Sequence, residues 1–375
     1  MRLIDGMGGY PHCSASREQV LYCVDALRER AEEAAVLLAE TMLLPDLSEI
    51  NDAKELLAMS RQTMTQDARV KELILTAAYG ANSPIGAPMF HEKTSLTDVQ
   101  LFRSTYFTPS RIVLAGTGIA HSDLVRFAEN YFEPHLPPPS LIKNEFTSDY
   151  NPSLVTEISE MPDIPGMAKE MEPKVRVAVA GLADSGWHSD DLVVLSVLNT
   201  LLGGGDSFSA GGPGKGMYSR LYRETLNAFH WIEAAEAFST VHKGSSLVGI
   251  SGACRPENAG ILVERFVFEL RRLKEKDVSQ EELTRAKNML KNNVLTQLES
   301  RLILFEDLGR QFSTFGTRQT LAEMMLLVDK VTVDDVRKIG HRICAQPPAI
   351  AATGPDLSKL PDFQTTAKRL LDGWS

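Results

Sequence analysis

Long apolar runs and paired cysteines are both missing from this sequence. The cysteines number four, Cys13, Cys23, Cys254 and Cys344. They stand far apart with no C-x-x-C pair, so neither a zinc knuckle nor a disulfide framework is indicated, and a reducing compartment fits. The most apolar stretch, Leu192 to Leu202, is shorter than the roughly 18 residues that a membrane-spanning helix needs. We therefore expect no direct membrane insertion.

Positive charge is scarce relative to negative charge. The sequence has 39 Lys and Arg residues against 49 Asp and Glu residues, a formal net charge of -10. A protein that binds nucleic acid needs a basic surface to compensate the phosphates, so nucleic acid is not expected as a partner. The acidic balance favours basic partners, although an ordinary solvated surface can carry the same charge.

Metal-binding motifs are absent as well. The eight histidines are His12, His91, His121, His135, His188, His230, His242 and His341. No two of them lie within five residues of each other, so neither His-x-x-Glu-His nor His-Glu-x-x-His occurs and no helix face can present two imidazoles with a carboxylate. His91 and Glu92 are predicted to form a surface pair, and His341 to lie on a helix face. The chain alone is predicted not to be a hydrolase and to hold no cofactor.

Common nucleotide-binding and nucleophile motifs are incomplete. Lys215 is followed by Gly216 where a P-loop needs Ser or Thr to bind magnesium, and the turn at Gly118 has His121 where a dinucleotide fingerprint needs glycine. The serine-nucleophile motif G-x-S-x-G fails because Ser209 replaces its last glycine. These three chemistries are therefore not predicted.

A pattern of one strand and two helices occurs in both halves of the chain. In the first half, a strand at Leu21–Ala26 precedes a helix at Ala31–Leu44 and a second helix that contains Ala53. In the second half, a strand at Leu247–Ala253 precedes a helix at Asn258–Leu273 and a second helix that contains Ala286. Repetition of this kind indicates two related domains.

A second pattern, a capped helix followed by a strand that ends in glycine, is also repeated. In the first half it comprises capping-box spacing at Thr97–Gln100 and a strand at Arg111–Gly116. In the second half it comprises a capped helix that begins at Thr332 and a strand at Ala349–Gly354. Proline precedes each strand, where it does not disturb a ladder. The fold class predicted is α+β, with two similar domains of sheet packed with helices.

The domain boundaries follow from composition. We predict an N-terminal domain at 1–140, a linker rich in proline and acids at 141–173, and a C-terminal domain at 174–375. The C-terminal domain opens with a strand at Val175–Gly181 and a helix at Asp190–Leu202. No equivalent strand and helix precede Leu21, so the first domain is expected to be incomplete at its N-terminus.

The segment Gly203–Gly216, termed here the glycine-rich segment, is the candidate functional site. Residues without a Cβ let the backbone of a ligand come close. A segment that served only as a flexible connection would not need to lie inside one compact domain. The candidate substrate-binding residues are Gly203, Gly204, Gly205, Asp206, Ser207, Phe208, Ser209, Gly211, Gly212, Gly214, Lys215 and Gly216. Lys215 is expected to be solvated, since a cation repels a basic ligand.

The sequence resembles the alpha subunits of mitochondrial processing peptidases, which are pitrilysin-like proteins. The resemblance covers essentially the whole chain, and its most specific part is the glycine-rich segment with Arg220-Leu221-Tyr222. Further similarity lies at Leu298–Arg301, at Phe305–Gln311 and at Tyr106–Arg111. The resemblance implies two pitrilysin-like domains and a non-catalytic, substrate-recognising subunit.

Partners and substrates are likewise implied by the resemblance. It implies a heterodimer whose beta subunit carries zinc and the His-x-x-Glu-His motif, while this chain presents its glycine-rich segment near that site. Substrates would be imported precursors with basic, arginine-containing presequences, bound extended and cleaved once. Acidic side chains facing the substrate could attract its arginines. The location implied is the mitochondrial matrix or the matrix face of the inner membrane, although no targeting segment is visible.

Two departures from the family pattern are present. Asp206 stands where the family usually has glycine, and we take as a hypothesis that it holds a substrate arginine. The opening strand and helices of the family are missing, which is consistent with a truncated sequence or a divergent short form.

Two other functions remain open. One is a structural core subunit of the mitochondrial ubiquinol–cytochrome c reductase complex (respiratory complex III), with the same fold and with complex III subunits as partners; one protein could fulfil both roles. The other is an autonomous metallopeptidase with its metal motif in the missing N-terminal part.

Overall fold

The computed structural model describes residues 2–89, 94–138, 148–159, 173–206 and 216–374. The helices are α1 Arg2–Gly6, α2 Ala31–Leu43, α3 Ile50–Gln62, α4 Gln66–Tyr79, α5 Leu96–Tyr106, α6 His121–Phe127, α7 Asp191–Leu202, α8 Ala259–Glu275, α9 Gln280–Leu298, α10 Arg301–Phe315, α11 Leu321–Lys330, α12 Val333–Ile343 and α13 Phe363–Asp372. The strands are β1 Tyr10–Ala15, β2 Val20–Asp25, β3 Leu154–Ile158, β4 Val175–Leu182, β5 Gly204–Asp206, β6 Ile232–Val241, β7 Ser246–Cys254 and β8 Ala349–Gly354. Among these residues no helix is both long enough and apolar enough to cross a membrane.

The chain divides into two compact units that are interleaved in sequence. The first comprises Met1–Arg61, Met89–Glu145 and Val294–Thr320, and the second comprises Gln62–Pro88, Phe146–Asn293 and Leu321–Ser375. The division into homologous domains at 1–140 and 174–375 stays a prediction, because it concerns internal repetition and not compactness. Within the predicted linker 141–173, residues 154–158 form β3.

The second unit contains a six-stranded mixed sheet in the order β3-β8-β4-β7-β6-β5. β3 and β8 pair in parallel, and every other neighbouring pair in this order is antiparallel. The predicted strands at 175–181, 247–253 and 349–354 are confirmed as β4, β7 and β8. The mixed helix and sheet content confirms the predicted α+β class.

The sheet is buried on both faces, as the sequence of β4 shows most simply. Val175, Val177 and Val179 point into a core formed with α7, α8 and α12. Ala178 and Ala180 alternate with them and point into a second core formed with α4. Since successive strand residues face opposite sides, β4, which is apolar except at Arg176, contributes side chains to both cores. The small alanines leave room for α4 against the sheet.

The first unit is built around the β1–β2 hairpin. The two strands pair antiparallel, with His12 opposite Cys23. Cys23 is buried and so is Cys254 in the second unit, where each packs as a small apolar side chain. Arg301, which opens α10, donates hydrogen bonds to both carboxylate oxygens of Asp25 at 2.6 and 2.8 Å. Both bonds come from the single nitrogen Nη2, and this ion pair attaches α10 to the end of the hairpin.

Two predictions for the first half were wrong. The strand expected at Arg111–Gly116 is absent from the described residues: Pro109–Arg111 forms a 3-10 turn, and 112–116 continues without a strand partner. An apolar run becomes a strand only when a neighbouring backbone completes its ladder. The capping box of α5 is formed by Ser95 and Asp98, two residues before the spacing chosen from the sequence. Its predicted counterpart at Thr332, with Asp335, is confirmed.

The capping box of α12 makes a testable contribution to stability. Thr332 donates to Asp335 through its backbone N–H at 3.0 Å and its hydroxyl at 2.7 Å, and the hydroxyl bond is the main reason that the pKa of Asp335 is lowered. We expect Asp335→Ala to lower the free energy of unfolding by about 1 kcal/mol at pH 7, measured by urea denaturation. A carboxyl group whose pKa is lower in the folded state stabilises the fold above its unfolded-state pKa, and this stabilisation is lost as the pH falls through the folded-state pKa. The difference in free energy of unfolding between Asp335→Ala and wild type should therefore shrink below about pH 4.

Asp334→Ala is the matched control, because Asp334 is the adjacent acid and makes no cap. It should cost clearly less than Asp335→Ala. Equal losses in the two variants, or a difference that persists unchanged to acidic pH, would contradict the assigned role of Asp335.

Candidate functional site

The described part of the glycine-rich segment lies between α7 and the edge of the sheet. Helix α7 ends at Leu202 and Gly203 is its C-cap, after which β5 (Gly204–Asp206) pairs with β6. The structure thus places Gly203, Gly204, Gly205, Asp206 and Gly216. The other predicted site residues, Ser207, Phe208, Ser209, Gly211, Gly212, Gly214 and Lys215, lie outside the described residues.

Three consecutive positive φ angles explain why glycine is needed at the start of the segment. The φ values are +56° at Gly203, +105° at Gly204 and +155° at Gly205. Side chains with a Cβ rarely adopt these conformations. A Cβ on Gly204 would also lie 1.9 Å from the carbonyl oxygen of Ala235, and one on Gly203 would lie 2.4 Å from the Cβ of Ser219. The turn therefore depends on glycine for both conformation and space.

Ser219 joins the two described ends of the segment. Its hydroxyl oxygen accepts a hydrogen bond from the N–H of Gly204 at 3.1 Å, and its own N–H donates to the carbonyl oxygen of Gly216 at 2.9 Å. Ser219 is buried. Ser219 is not among the site residues predicted from the sequence. A serine three positions after a glycine is a turn signal that could have indicated the bond to Gly216, but the bond to Gly204 depends on the fold.

β5 is the outermost strand of the six-stranded sheet in the described part of the chain. Its residues Gly204 and Asp206 pair with Glu236 and Ala234 of β6. The last residue of the strand, Asp206, is exposed. An edge strand has backbone donors and acceptors on its open side, which is the surface that an extended peptide can join.

Two further acids, Glu236 and Asp67, interact with Asp206 or with each other. Lys71 of α4 lies 3.3 Å from Glu236, and Arg176 of β4 lies 2.5 Å from Asp67. Burial raises the pKa of Asp67; the charge of Arg176 opposes this rise, whereas the charges of Glu236 and Asp206 add to it. Three carboxylates and two cations therefore interact here, which leaves one formal negative charge among them.

A buried ion network supports the chain after Ser219. Glu269 of α8 is fully buried and accepts hydrogen bonds from Arg265 and Arg272, and Arg272 also donates to Glu224. Burial raises the pKa of Glu269 in spite of the two arginines. The network attaches a single π-helical turn, Tyr222–Leu226, to α8. Such turns are rare and occur often at functional sites.

The residues present do not form a metal site in the described part of the chain. No group of three or more His, Cys, Asp and Glu side chains is positioned there to hold a metal ion. His341 is exposed on α12, as predicted for a helix-face residue. His91 and Glu92 lie outside the described residues.

Comparison with protein families defines the class of this fold and site. Residues 93–290, which are more than half of the chain, match the family model described as "Peptidase M16 inactive domain". The chain therefore belongs to the M16 peptidase family and contains the domain so described. A chain of the solved structure titled "Complex III2 from Candida albicans, Inz-5 bound" superimposes with a TM-score of 0.79 over 97% of this chain and 86% of that chain, at 17% sequence identity. This likeness concerns the fold alone.

Comparison with curated proteins is more specific. The "Probable mitochondrial-processing peptidase subunit alpha-1, mitochondrial" of Arabidopsis thaliana is 30% identical over 98% of this chain and 72% of that protein. The "Mitochondrial-processing peptidase subunit alpha" is 30% identical in Caenorhabditis elegans, over 96% of this chain and 74% of that protein, and 30% identical in Homo sapiens, over 95% and 70%. The chain belongs to the family of mitochondrial-processing peptidase alpha subunits. The resemblance stated from the sequence is confirmed.

The turn at Gly203–Gly205 gives a second prediction. Gly204→Ala places a methyl group against the carbonyl oxygen of Ala235 in addition to straining φ, whereas a methyl group at Gly205 meets nothing within 4 Å and suffers only the strain. We expect Gly204→Ala to lower the melting temperature more than Gly205→Ala does, by several degrees. Thermal unfolding followed by circular dichroism measures both variants, and equal shifts would contradict the described pairing of β5 with β6.

Proposed function

We propose that this chain is the non-catalytic, substrate-recognising subunit of a heterodimeric mitochondrial processing peptidase. It would help a catalytic partner to remove basic presequences from imported precursors, in the mitochondrial matrix or at the matrix face of the inner membrane. The observation that carries the proposal is the geometry of the glycine-rich segment, whose described ends are fixed by Ser219 beside an open sheet edge with acidic surroundings.

The separate roles of this chain and its catalytic partner follow from the side chains available. An open sheet edge offers backbone hydrogen bonds to any extended peptide and has no sequence preference. Asp206 adds a preference for basic side chains through charge-assisted hydrogen bonds, whereas Asp67 and Glu236 already pair with Arg176 and Lys71. Hydrolysis needs a metal-activated water, and the zinc that would supply it is assigned to the beta partner. The names of the alpha-subunit relatives are consistent with such a partner.

Reconstitution tests the proposal. The purified chain is assayed alone and then with a zinc-bearing beta subunit, against a fluorescent presequence peptide. We expect cleavage only in the pair, because the catalytic metal is assigned to the partner. Cleavage by the chain alone would refute the non-catalytic role. Absence of cleavage in a pair that forms stably would favour the alternative of a structural core subunit of complex III, for which association with complex III subunits is the direct measurement.

A deletion separates recognition from assembly. Removing residues 207–215, which keeps the C-cap Gly203, the strand β5 and Gly216, should weaken presequence binding or turnover while the heterodimer still forms, as measured by size-exclusion chromatography. Loss of the heterodimer instead would indicate that the segment has a structural role.

The charge of Asp206 gives a third prediction. If Asp206 holds a substrate arginine, Asp206→Gly should weaken binding of a presequence peptide a few-fold, and the loss should diminish at high salt because exposed ion pairs are screened. Fluorescence anisotropy with the reconstituted pair measures the affinity. Asp190→Gly, which removes another exposed acid of the same unit, is the control. An unchanged affinity in Asp206→Gly, or the same loss in both variants, would contradict the hypothesis.

A further inference from the structure

The ladder between β5 and β6 determines which main-chain groups of β5 face its open side. The N–H of Ala237 donates to the C=O of Gly203, the residue before β5, at 2.8 Å. Hydrogen-bonded and non-hydrogen-bonded pairs alternate along an antiparallel ladder, so the next hydrogen-bonded pair is Gly205 with Ala235. The N–H and C=O groups of Gly204, which lies between, therefore point away from β6.

Ser219 agrees with this direction and occupies one of the groups on the open side. Its hydroxyl oxygen accepts a hydrogen bond from the N–H of Gly204 at 3.1 Å. By the same alternation the N–H of Asp206 also points away from β6, and no group among the described residues accepts a bond from it. Of the three N–H groups of β5, the one of Asp206 is thus left open in the described part of the chain.

The surroundings of this N–H group leave room for a ligand. β5 is the outermost strand of the sheet among the described residues, and Asp206, its last residue, is exposed. A Cβ at Gly205 would meet nothing within 4 Å, so the space beside the strand is open there as well. An open N–H on an exposed strand edge can bind the C=O of an extended peptide.

Charge indicates which kind of peptide fits this edge. The open N–H and an exposed carboxylate belong to the same residue, Asp206. Glu236 pairs with Lys71 and Asp67 pairs with Arg176, so one formal negative charge is left among these five side chains. A basic peptide is therefore favoured over an acidic one.

We propose that the main-chain N–H of Asp206 binds a C=O group of the extended basic peptide that this chain handles. The proposal rests on the function proposed above and identifies the donor through which the edge of β5 binds the main chain of the substrate. Recognition through a main-chain group does not depend on the sequence of the peptide, which suits a subunit that accepts many presequences.

Both possible directions of the peptide use this donor. A parallel strand opposite Gly205 accepts a bond from the N–H of Asp206 and donates one to the C=O of Gly204. An antiparallel strand exchanges both of its bonds with one residue of β5. That residue is Asp206, because Ser219 occupies the N–H of Gly204.

The variant Asp206→Pro tests the donor, because proline has no N–H and the ladder with β6 does not use the N–H of this residue. Asp206→Ala is the matched control, since it also removes the carboxylate but keeps the N–H. Affinity for a presequence peptide is measured by fluorescence anisotropy in the reconstituted pair, with zinc chelated so that the peptide stays intact. We expect Asp206→Pro to bind about fivefold more weakly than Asp206→Ala, the effect of losing one hydrogen bond.

Thermal unfolding shows whether Asp206→Pro acts through the fold instead. We expect it to have the same melting temperature as Asp206→Ala, because no bond to β6 is lost. If Asp206→Pro unfolds at a lower temperature than Asp206→Ala, the measurement on the wild-type pair that follows decides alone.

Amide hydrogen exchange in the wild-type pair examines the same group without a substitution. The N–H of Asp206 should exchange rapidly in the absence of peptide and about tenfold more slowly with saturating peptide, because it is then hydrogen-bonded. The N–H of Gly205, which is bonded to β6 in both states, is the internal control and should change little. Mass spectrometry resolved to single residues measures both groups.

Two outcomes would overturn the proposal. One is equal affinity of Asp206→Pro and Asp206→Ala, and the other is an exchange rate of Asp206 that the peptide leaves unchanged. A wild-type pair that binds no presequence peptide refutes the proposed function itself. This result is distinct from a pair that binds the peptide and does not depend on the N–H of Asp206.

Discussion

The turn that ends α7 is the constraint on which the candidate site depends. Gly203, Gly204 and Gly205 adopt conformations that residues with a Cβ rarely adopt, and Gly204 lies against the backbone of β6. This turn converts a buried helix into an edge strand within one residue. The position of Asp206, the open edge of β5 and the bond to Ser219 all follow from it. The absence of a Cβ at these three positions therefore determines where the polar groups of the site can lie.

The sheet provides the rigid support for this turn. Because β4 is apolar on both faces, helices cover the sheet on both sides, and α4 brings Asp67 and Lys71 to the face that carries Arg176 and Glu236. The acidic surface is thus assembled from a helix and two strands that are distant in sequence. Side chains on such elements are held more firmly than side chains on a loop.

The sequence predicted the regular elements of the second unit well and the site only in part. Apolar strands and the capping box at Thr332 are local signals, and they were confirmed. The strand at Arg111–Gly116 failed because pairing depends on a second backbone, which a local pattern does not contain. For the same reason Ser219 was missed as a site residue: it is important through its contact with Gly204, and composition gives no sign of that contact.

Charge is distributed differently at the surface and below it, and the two arrangements suit different tasks. At the edge of the sheet three carboxylates meet two cations, so one formal negative charge is left among them. In the network around Glu269, the arginines Arg220, Arg265 and Arg272 interact with the glutamates Glu224, Glu269 and Glu282, so the formal charges balance. A buried network with balanced charges adds no net charge to that of the surface. The formal net charge of -10 therefore does not by itself give the sign of the charge at the site. That sign depends on which charges are buried in balanced sets and which remain exposed.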